Sequence, residues 1–420
     1  MRYLYTFLFY LALPFVFLRL LWRSRRLKAY RSRLSERLGF YSFSMDKCLW
    51  VHAVSVGETI AAVPLIKKLK ELHPQIPILV TTMTPTGAAR VQAAFGESVT
   101  HLYIPYDLPG AMKRFLKATH PMVCVMMETE LWPNLLAACA RKKIPVCLVN
   151  ARLSGKSARG YARVASLTRE MLNEIDVIAS QGEKDAERFI ALGAPKKRVI
   201  VTGNLKFDMQ LPTDLADKAV ALRKTLGENR LIWVAASTHE GEEEIILKAQ
   251  QLIREKIPNA LLILVPRHPD RFDVVANLCA QTSTVRRSSG ENCDANTSVY
   301  LGDTMGEMLL MYSVADAAFV AGSLIERGGH NILEPAALAK PIITGPYIFN
   351  FQEICDLFVS EKAQVMVNDA ETLANQVIAL LQDEALRKNY GDRALRVIQA
   401  NRGALDRQVE LIEAEVSKSR

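Results

Sequence analysis

Three side chains capable of proton transfer or charge stabilisation stand directly after apolar runs in the first half of the chain. They are Glu58 in WVHAVSVGET (Trp50–Thr59), Glu128 in METELWPN (Met127–Asn134) and Lys206 in TGNLKFD (Thr202–Asp208). Ser55 and Gly57 break the first apolar run and predict a tight turn that presents Glu58 at the end of a buried strand. A carboxylate there can take the proton of an attacking hydroxyl, and a lysine can hold an anionic leaving group. Glu130 adds a second carboxylate two residues after Glu128. Each residue also has a plainer reading. Glu58 is favoured in a first helical turn by the helix dipole, Glu128 or Glu130 serves as a helix cap, and Lys206 is a solvated lysine.

The second half repeats the arrangement with residues suited to a nucleotide. Ser237–Glu240 (STHE), Val265–Arg271 (VPRHPDR), Gly302–Glu307 (GDTMGE) and Gly322–Pro335 (GSLIERGGHNILEP) each end an apolar run. Pro266, Arg267 and His268 form a basic turn suited to phosphate or a base. Gly328 and Gly329 permit close backbone approach, and His330, Asn331, Ile332 and Leu333 lead into a helix start able to receive an anion. Glu334 is placed to accept ribose hydroxyls. Singly, these are basic loops, glycine turns and N-caps; four on one predicted rim make a site. Asp-x-Asp pairs, metal-ligand spacings, GxGxxG, GxxxxGK[ST] and GxSxG are all missing from the sequence, so metal, dinucleotide, P-loop and serine-hydrolase readings fail.

The elements that must position these residues alternate. Apolar strands predicted at 49–53, 78–82, 99–103, 123–127, 146–150, 177–180 and 199–202 are separated by helical patterns, one of them at 157–173. After a pause around Leu205–Asp217 the alternation restarts at 231–235, 261–265, 299–302, 317–321 and 342–344. The pattern predicts helices near 306–312 and a surface loop over 283–298. Such alternation specifies parallel sheets covered by helices, hence two Rossmann-like α/β domains facing a cleft. The divisions are 1–38 (anchor and connector), 39–207 and 208–420, with the last helices candidates for packing back on the first domain.

The chain has 420 residues, 50% hydrophobic and 23% charged, with a net charge of +9; the basic balance suits nucleic acid, anionic lipid or phosphorylated substrates. Its seven cysteines include no CxxC pair and read as free thiols in a reducing compartment. Tyr3–Trp22 is an apolar run long enough to span a bilayer, interrupted by Pro14 and Arg19. Arg23, Arg25, Arg26, Lys28, Arg31, Arg33 and Arg37 follow it, which predicts a cytoplasmic body. Spanning the bilayer and dipping into one leaflet both remain open. Tyr30, Leu34 and Leu38 repeat every four residues and predict an amphipathic connector.

Taken together, VHAVSVGE, TTMTPTG, YIPYD, METELWPN, NARLS, TGNLKFD, STHEGEE, VPRHPDRF, GDTMGE and ERGGHNILEP resemble, in this order, the 3-deoxy-D-manno-octulosonic acid (Kdo) transferases of lipopolysaccharide synthesis. The resemblance implies a glycosyltransferase B fold and transfer of Kdo from CMP-Kdo to the lipid A precursor at the cytoplasmic side of the inner membrane. It implies no cofactor or metal, and neither is nucleic acid among the partners. By the same resemblance Glu58 is the general base, and Glu128 and Lys206 support the transition state. Pro266, Arg267, Met305, Gly306, Glu307, Asn331, Ile332, Leu333 and Glu334 then hold CMP. Ser55, Gly57, Glu130, Ser237, His268, Gly329 and His330 are additional candidates. A sugar-nucleotide epimerase of the same architecture and a non-catalytic nucleotide-binding membrane module are the alternatives; the apolar N-terminus disfavours the first and Glu58 the second.

Overall fold

A computed structural model describes residues 1–25 and 28–418; Arg26 of the basic flank lies outside the described residues. The chain divides into two compact units, Met1–Asp208 with Arg402–Arg420, and Met209–Asn401.

The first unit opens with helix α1 (Arg2–Arg23). Its sheet contains β1 (Cys48–His52), β2 (Ile78–Thr82), β3 (Thr100–Tyr103), β4 (Pro121–Met127), β5 (Val146–Ala151), β6 (Val177–Ser180) and β7 (Val199–Val201). The order is β3-β2-β1-β4-β5-β6-β7, and every pairing is parallel. The central strands are continuous apolar runs because helices cover both faces. Alternate residues feed opposite cores: Cys48 and Trp50 enter one with Phe115 and Met126. Leu49 and Val51 enter the other with Leu65, Val125 and Val149.

The second unit contains β8 (Ile232–Thr238), β9 (Leu261–Pro266), β10 (Thr284–Arg286), β11 (Val299–Leu301), β12 (Ala317–Val320), β13 (Ile342–Thr344) and β14 (Gln364–Met366). The order is β10-β11-β9-β8-β12-β13-β14, again all parallel. In the first sheet the chain winds outward from β1 through β2 to β3 and then crosses to β4; in the second it runs from β8 to β9, out to β10 at the edge and back to β11, and then crosses to β12. The winding therefore reverses between β1 and β4, and between β8 and β12. Such switch points, at the carboxyl ends of the strands, are where open α/β sheets bind ligands.

Several elements depart from the sequence expectation. The connector is no amphipathic helix but two short 3₁₀ turns, Lys28–Arg31 and Glu36–Leu38. Arg37 is buried there, with its guanidinium 4.4 Å from the Tyr103 ring centroid and donating to the Met83 carbonyl. The helix expected over 157–173 is two helices, Gly155–Ala162 and Ala165–Asn173, broken where Val164 leaves helical geometry. The loop expected over 283–298 contains β10, and the helix expected at 306 begins at Met308 because Gly306 has φ +84°. β14 has no counterpart in the expectation. Of the last helices, Glu384–Asn401 stays with the second unit, and Ala404–Lys418 belongs to the first. There Val409, Ile412 and Val416 fill the core face. The Asp208 carboxylate accepts the Gly403 and Leu405 amides at 2.6 Å each. Gln408 accepts the Asn150 amide and donates to Thr202.

Candidate active site

Glu58 lies in the first turn of helix α2 (Val56–Leu72), which begins with a reciprocal capping box. Ser55 Oγ accepts the Glu58 amide, while the Glu58 carboxylate accepts the Ser55 amide at 3.1 Å and the Val54 amide at 2.8 Å. The side chain is buried. Burial raises its pKa, the hydrogen bonds from Ser55 and Val54 oppose the rise, and Glu128 adds to it. Glu58 is thus a first-turn acid, as its plain reading has it, but a buried capping carboxylate fixed in place and not one facing solvent. Each oxygen has a second lone pair with which to accept a proton.

The carboxyl end of β4 is adjacent, because β1 pairs with β4 at His52–Met126. Glu128 has left-handed backbone geometry, φ +56°, with its amide donating to the Val149 carbonyl. That conformation turns the chain sharply off the strand. Glu130 accepts the Trp132 indole N–H at 2.8 Å; burial first, then the Glu58 charge, pushes its carboxyl up to about 7. Lys206 follows β7, at the far edge of the sheet. The tertiary structure nevertheless turns this segment back toward β5: Asn150, itself at φ +50°, accepts the Leu205 amide through Oδ1. Gln181 ties the same corner together by donating to the Asn150 carbonyl and accepting from Asn204. Asn150 and Gln408 have positioning roles that the sequence reading did not single out; only NARLS at a strand end hinted at the first.

In the second unit the predicted loops cluster on the carboxyl edge of its sheet. Ser237 has φ +63°, and Thr238 accepts the Arg267 amide through its carbonyl, which joins the ends of β8 and β9. Glu242, fully buried, accepts the amides of Gly322, Ser323 and Leu324. It thereby fixes the loop that runs from β12 to Gly328, Gly329 and His330. The sequence reading missed Glu242, although STHEGEE signalled a carboxylate beyond the strand. His330 Nε2 lies 2.8 Å from His239 Nε2 with the rings nearly parallel, and the His268 ring centroid is 5.6 Å from that of His239. Burial and then the neighbouring histidines hold His330 at about 4; burial followed by His268 and the nearby arginines does the same for His239.

Asn331 donates to Glu334 and accepts the Leu333 amide. The helix it leads into, Leu333–Ala337, has only five residues, so the anion-binding helix start expected here is weak. Ile332 and Leu333 are buried and face the core, which leaves their backbone as the part available to a ligand. Met305 is exposed and Gly306 left-handed. Glu307 is gripped by Arg287 through two hydrogen bonds of 3.0 and 2.8 Å, which hold its carboxyl below the usual range. A cavity of about 380 Å³ lies against Gly306, Glu307, Arg287 and Lys218. Among the described residues no group of three or more His, Cys, Asp and Glu could hold a metal ion.

Comparison with known proteins identifies this architecture. Residues 32–209 match the family model described as 3-deoxy-D-manno-octulosonic-acid transferase (kdotransferase), and residues 222–397 that of glycosyl transferases group 1. A 3-deoxy-D-manno-octulosonic acid transferase of Haemophilus influenzae is 43% identical, covering 100% of this chain and 99% of its own. That of Bordetella pertussis is 37% identical over 87% of this chain and 86% of its own. The solved C-terminal CMP-Kdo binding domain of WaaA from Acinetobacter baumannii is 39% identical; it covers 45% of this chain and all of that domain, with TM-score 0.43. UDP-GlcNAc 2-epimerase from Neisseria meningitidis shares the fold, with TM-score 0.59 at 16% identity over 89% of this chain and 100% of that one. With two parallel-sheet α/β units of the glycosyltransferase B type, this chain belongs to the Kdo transferases, the glycosyltransferases that add Kdo in lipopolysaccharide biosynthesis.

Proposed function

We propose that the chain transfers Kdo from CMP-Kdo to the lipid A precursor, lipid IVA, at the cytoplasmic face of the inner membrane. The acceptor binds at the first unit and the nucleotide sugar at the second. Glu58 takes the proton of the acceptor hydroxyl as that oxygen attacks the anomeric carbon and CMP leaves. One base and one displacement give inversion at that carbon. Glu128 and Lys206 support the transition state, Lys206 by offsetting negative charge. Pro266, Arg267, Met305, Gly306, Glu307 and Asn331–Glu334 hold the CMP, with Arg267 facing its phosphate. No metal is required, because cationic side chains and backbone amides offset the charge on the leaving phosphate.

The observation that carries this reading is the fixed, buried carboxylate of Glu58 at the switch point of the first sheet, beside the end of β4 that bears Glu128. Its raised pKa makes it a stronger base than an exposed glutamate. The test is transfer from CMP-Kdo, generated in situ, to lipid IVA, with products weighed by mass spectrometry. Glu58→Gln is expected to lower the rate by about 10²–10⁴ while CMP still binds. Full activity in that variant refutes the base assignment, and loss of wild-type activity in a chelator refutes the metal-independent reaction.

A further inference from the structure

Helix α1 is apolar on every side, yet it divides into two faces. Arg2, Tyr5, Thr6, Phe9, Leu13, Val16, Phe17 and Leu20 are shielded to differing degrees, and their spacing of three and four residues makes one stripe. This stripe is seated on the first unit along almost its whole length. Arg2 pairs with Glu170 and Glu174, each at 3.2 Å. Thr6 and Asn134 exchange hydrogen bonds of 3.1 and 3.0 Å. The rings of Phe9 and Phe17 pack on Tyr106 at 6.4 and 5.7 Å. Leu20 is buried.

The opposite face is exposed but not polar. Tyr3, Leu4, Phe7, Leu8, Leu11 and Phe15 stand on it, Tyr3 at 85% and Phe15 at 72% exposure. The surface helix of a water-soluble domain carries polar residues there. Contacts from Arg2 to Phe17 cover about 22 Å at the usual helical rise, most of the thickness of a bilayer's hydrocarbon core. A helix crossing that core would carry Arg2 and Phe17 away from any common surface, whereas here both rest on one unit. Arg19, Arg23 and Arg25 are exposed at its C-terminal end, and the first acidic residue of the chain is Glu36. That end therefore complements anionic headgroups.

We infer that α1 does not cross the membrane but lies in its plane, one face docked on the first unit and the other immersed in the outer part of an anionic leaflet. This placement rests on the reading of the chain as an enzyme acting on a membrane lipid. The first unit is thereby held flat against the surface from which its acceptor comes.

The test uses the full-length protein in a Cys293→Ser background, the other six cysteines being buried. Arg2→Cys with Glu174→Cys is expected to be joined by a short bis-maleimide in native membranes. Cys at position 2 alone is expected to resist an impermeant maleimide added outside intact cells. Modification from outside without cross-linking overturns the inference and shows a spanning helix. Because loss of the Arg2 pair could itself loosen the helix, Thr6→Cys with Asn134→Cys provides a second, oxidative link. In a third arm, Phe7, Leu11, Phe15 and Leu18 are replaced together by serine. Flotation with phosphatidylglycerol vesicles is expected to fall at least tenfold while the cross-link persists. Unchanged flotation, or wild type that forms a dimer through this face and ignores the vesicles, overturns the inference. Transfer to detergent-dispersed lipid IVA is read in parallel, so failure of membrane docking stays distinct from failure of the enzymatic reading.

Discussion

Replacing Glu130 by glutamine removes one charge from a corner that holds three carboxylates, while leaving an oxygen to accept the Trp132 indole N–H. The carboxyl of Glu130 is pushed from 4.5 to about 7 by burial and by Glu58. Because the folded pKa lies above the unfolded one, the folded chain holds this proton more tightly. The resulting stabilisation is full below the unfolded pKa and is lost as pH rises through about 7. The shift corresponds to at most roughly 3 kcal/mol of strain carried by the ionised residue at alkaline pH. Glu130→Gln is therefore expected to be more stable than wild type at about pH 8, with the advantage gone near the unfolded pKa. For a unit of this size each kcal/mol moves the melting temperature by about 2–4 °C, so the gain at alkaline pH approaches roughly 6–12 °C. The assay is thermal unfolding of both proteins across that pH range, followed by Trp fluorescence. A stability difference that does not change with pH would refute the reasoning, because it would mean that Glu130 is ionised throughout.

Glu242→Gln retains an acceptor for part of the 322–324 loop but sets an NH₂ group against its amides. CMP affinity is expected to fall about tenfold, from loss of one charge-assisted hydrogen bond, as read by calorimetry. Trp50→Ala empties the site beside Phe115, 4.8 Å from it ring to ring, and frees Thr81 Oγ1 from the indole N–H. It should cost about 3–5 kcal/mol in urea unfolding. A Cβ at Gly345 would collide with the Ser323 carbonyl and the Leu324 amide. Gly345→Ala is expected to weaken protection of the 322–331 amides in hydrogen exchange while leaving β1–β7 unchanged. His239 and His330 are both held near 4, so neither should impose a pH dependence on CMP affinity between about pH 6 and 9, as titration calorimetry would show.

The strand–turn–helix reading of Trp50–Thr59 needed only local information. Apolar residues at consecutive positions make a strand buried on both faces, and Ser55 with Glu58 three residues on is a capping pair. The same logic made the loops after β8, β9, β11 and β12 legible, since polar clusters that end apolar runs must lie at a sheet edge. Short, half-exposed strands carry little such signal: β10 and β14 have three residues each, too few for a period to emerge. The break at Val164 and the burial of Arg37 depend on neighbours distant in sequence. Composition could not foresee that a guanidinium would lie over the Tyr103 ring.

The sequence by itself determined the alternation of elements, the family and the residue types available at each strand end, because periodicity, turn chemistry and ordered motifs are properties of consecutive residues. Only the tertiary structure decided which of those residues share a corner. Strand order set β1 beside β4. The Asn150–Leu205 hydrogen bond turned the Lys206 segment back from the sheet edge. Glu242 reached eighty residues along the chain to hold Gly322. The last helix returned to the first unit because only there are its apolar face and Gln408 both satisfied. The apolar N-terminus could be read as spanning or dipping; that Arg2, Thr6 and Phe17 contact the first unit was visible only in the tertiary structure, because Glu174, Asn134 and Tyr106 lie far along the chain.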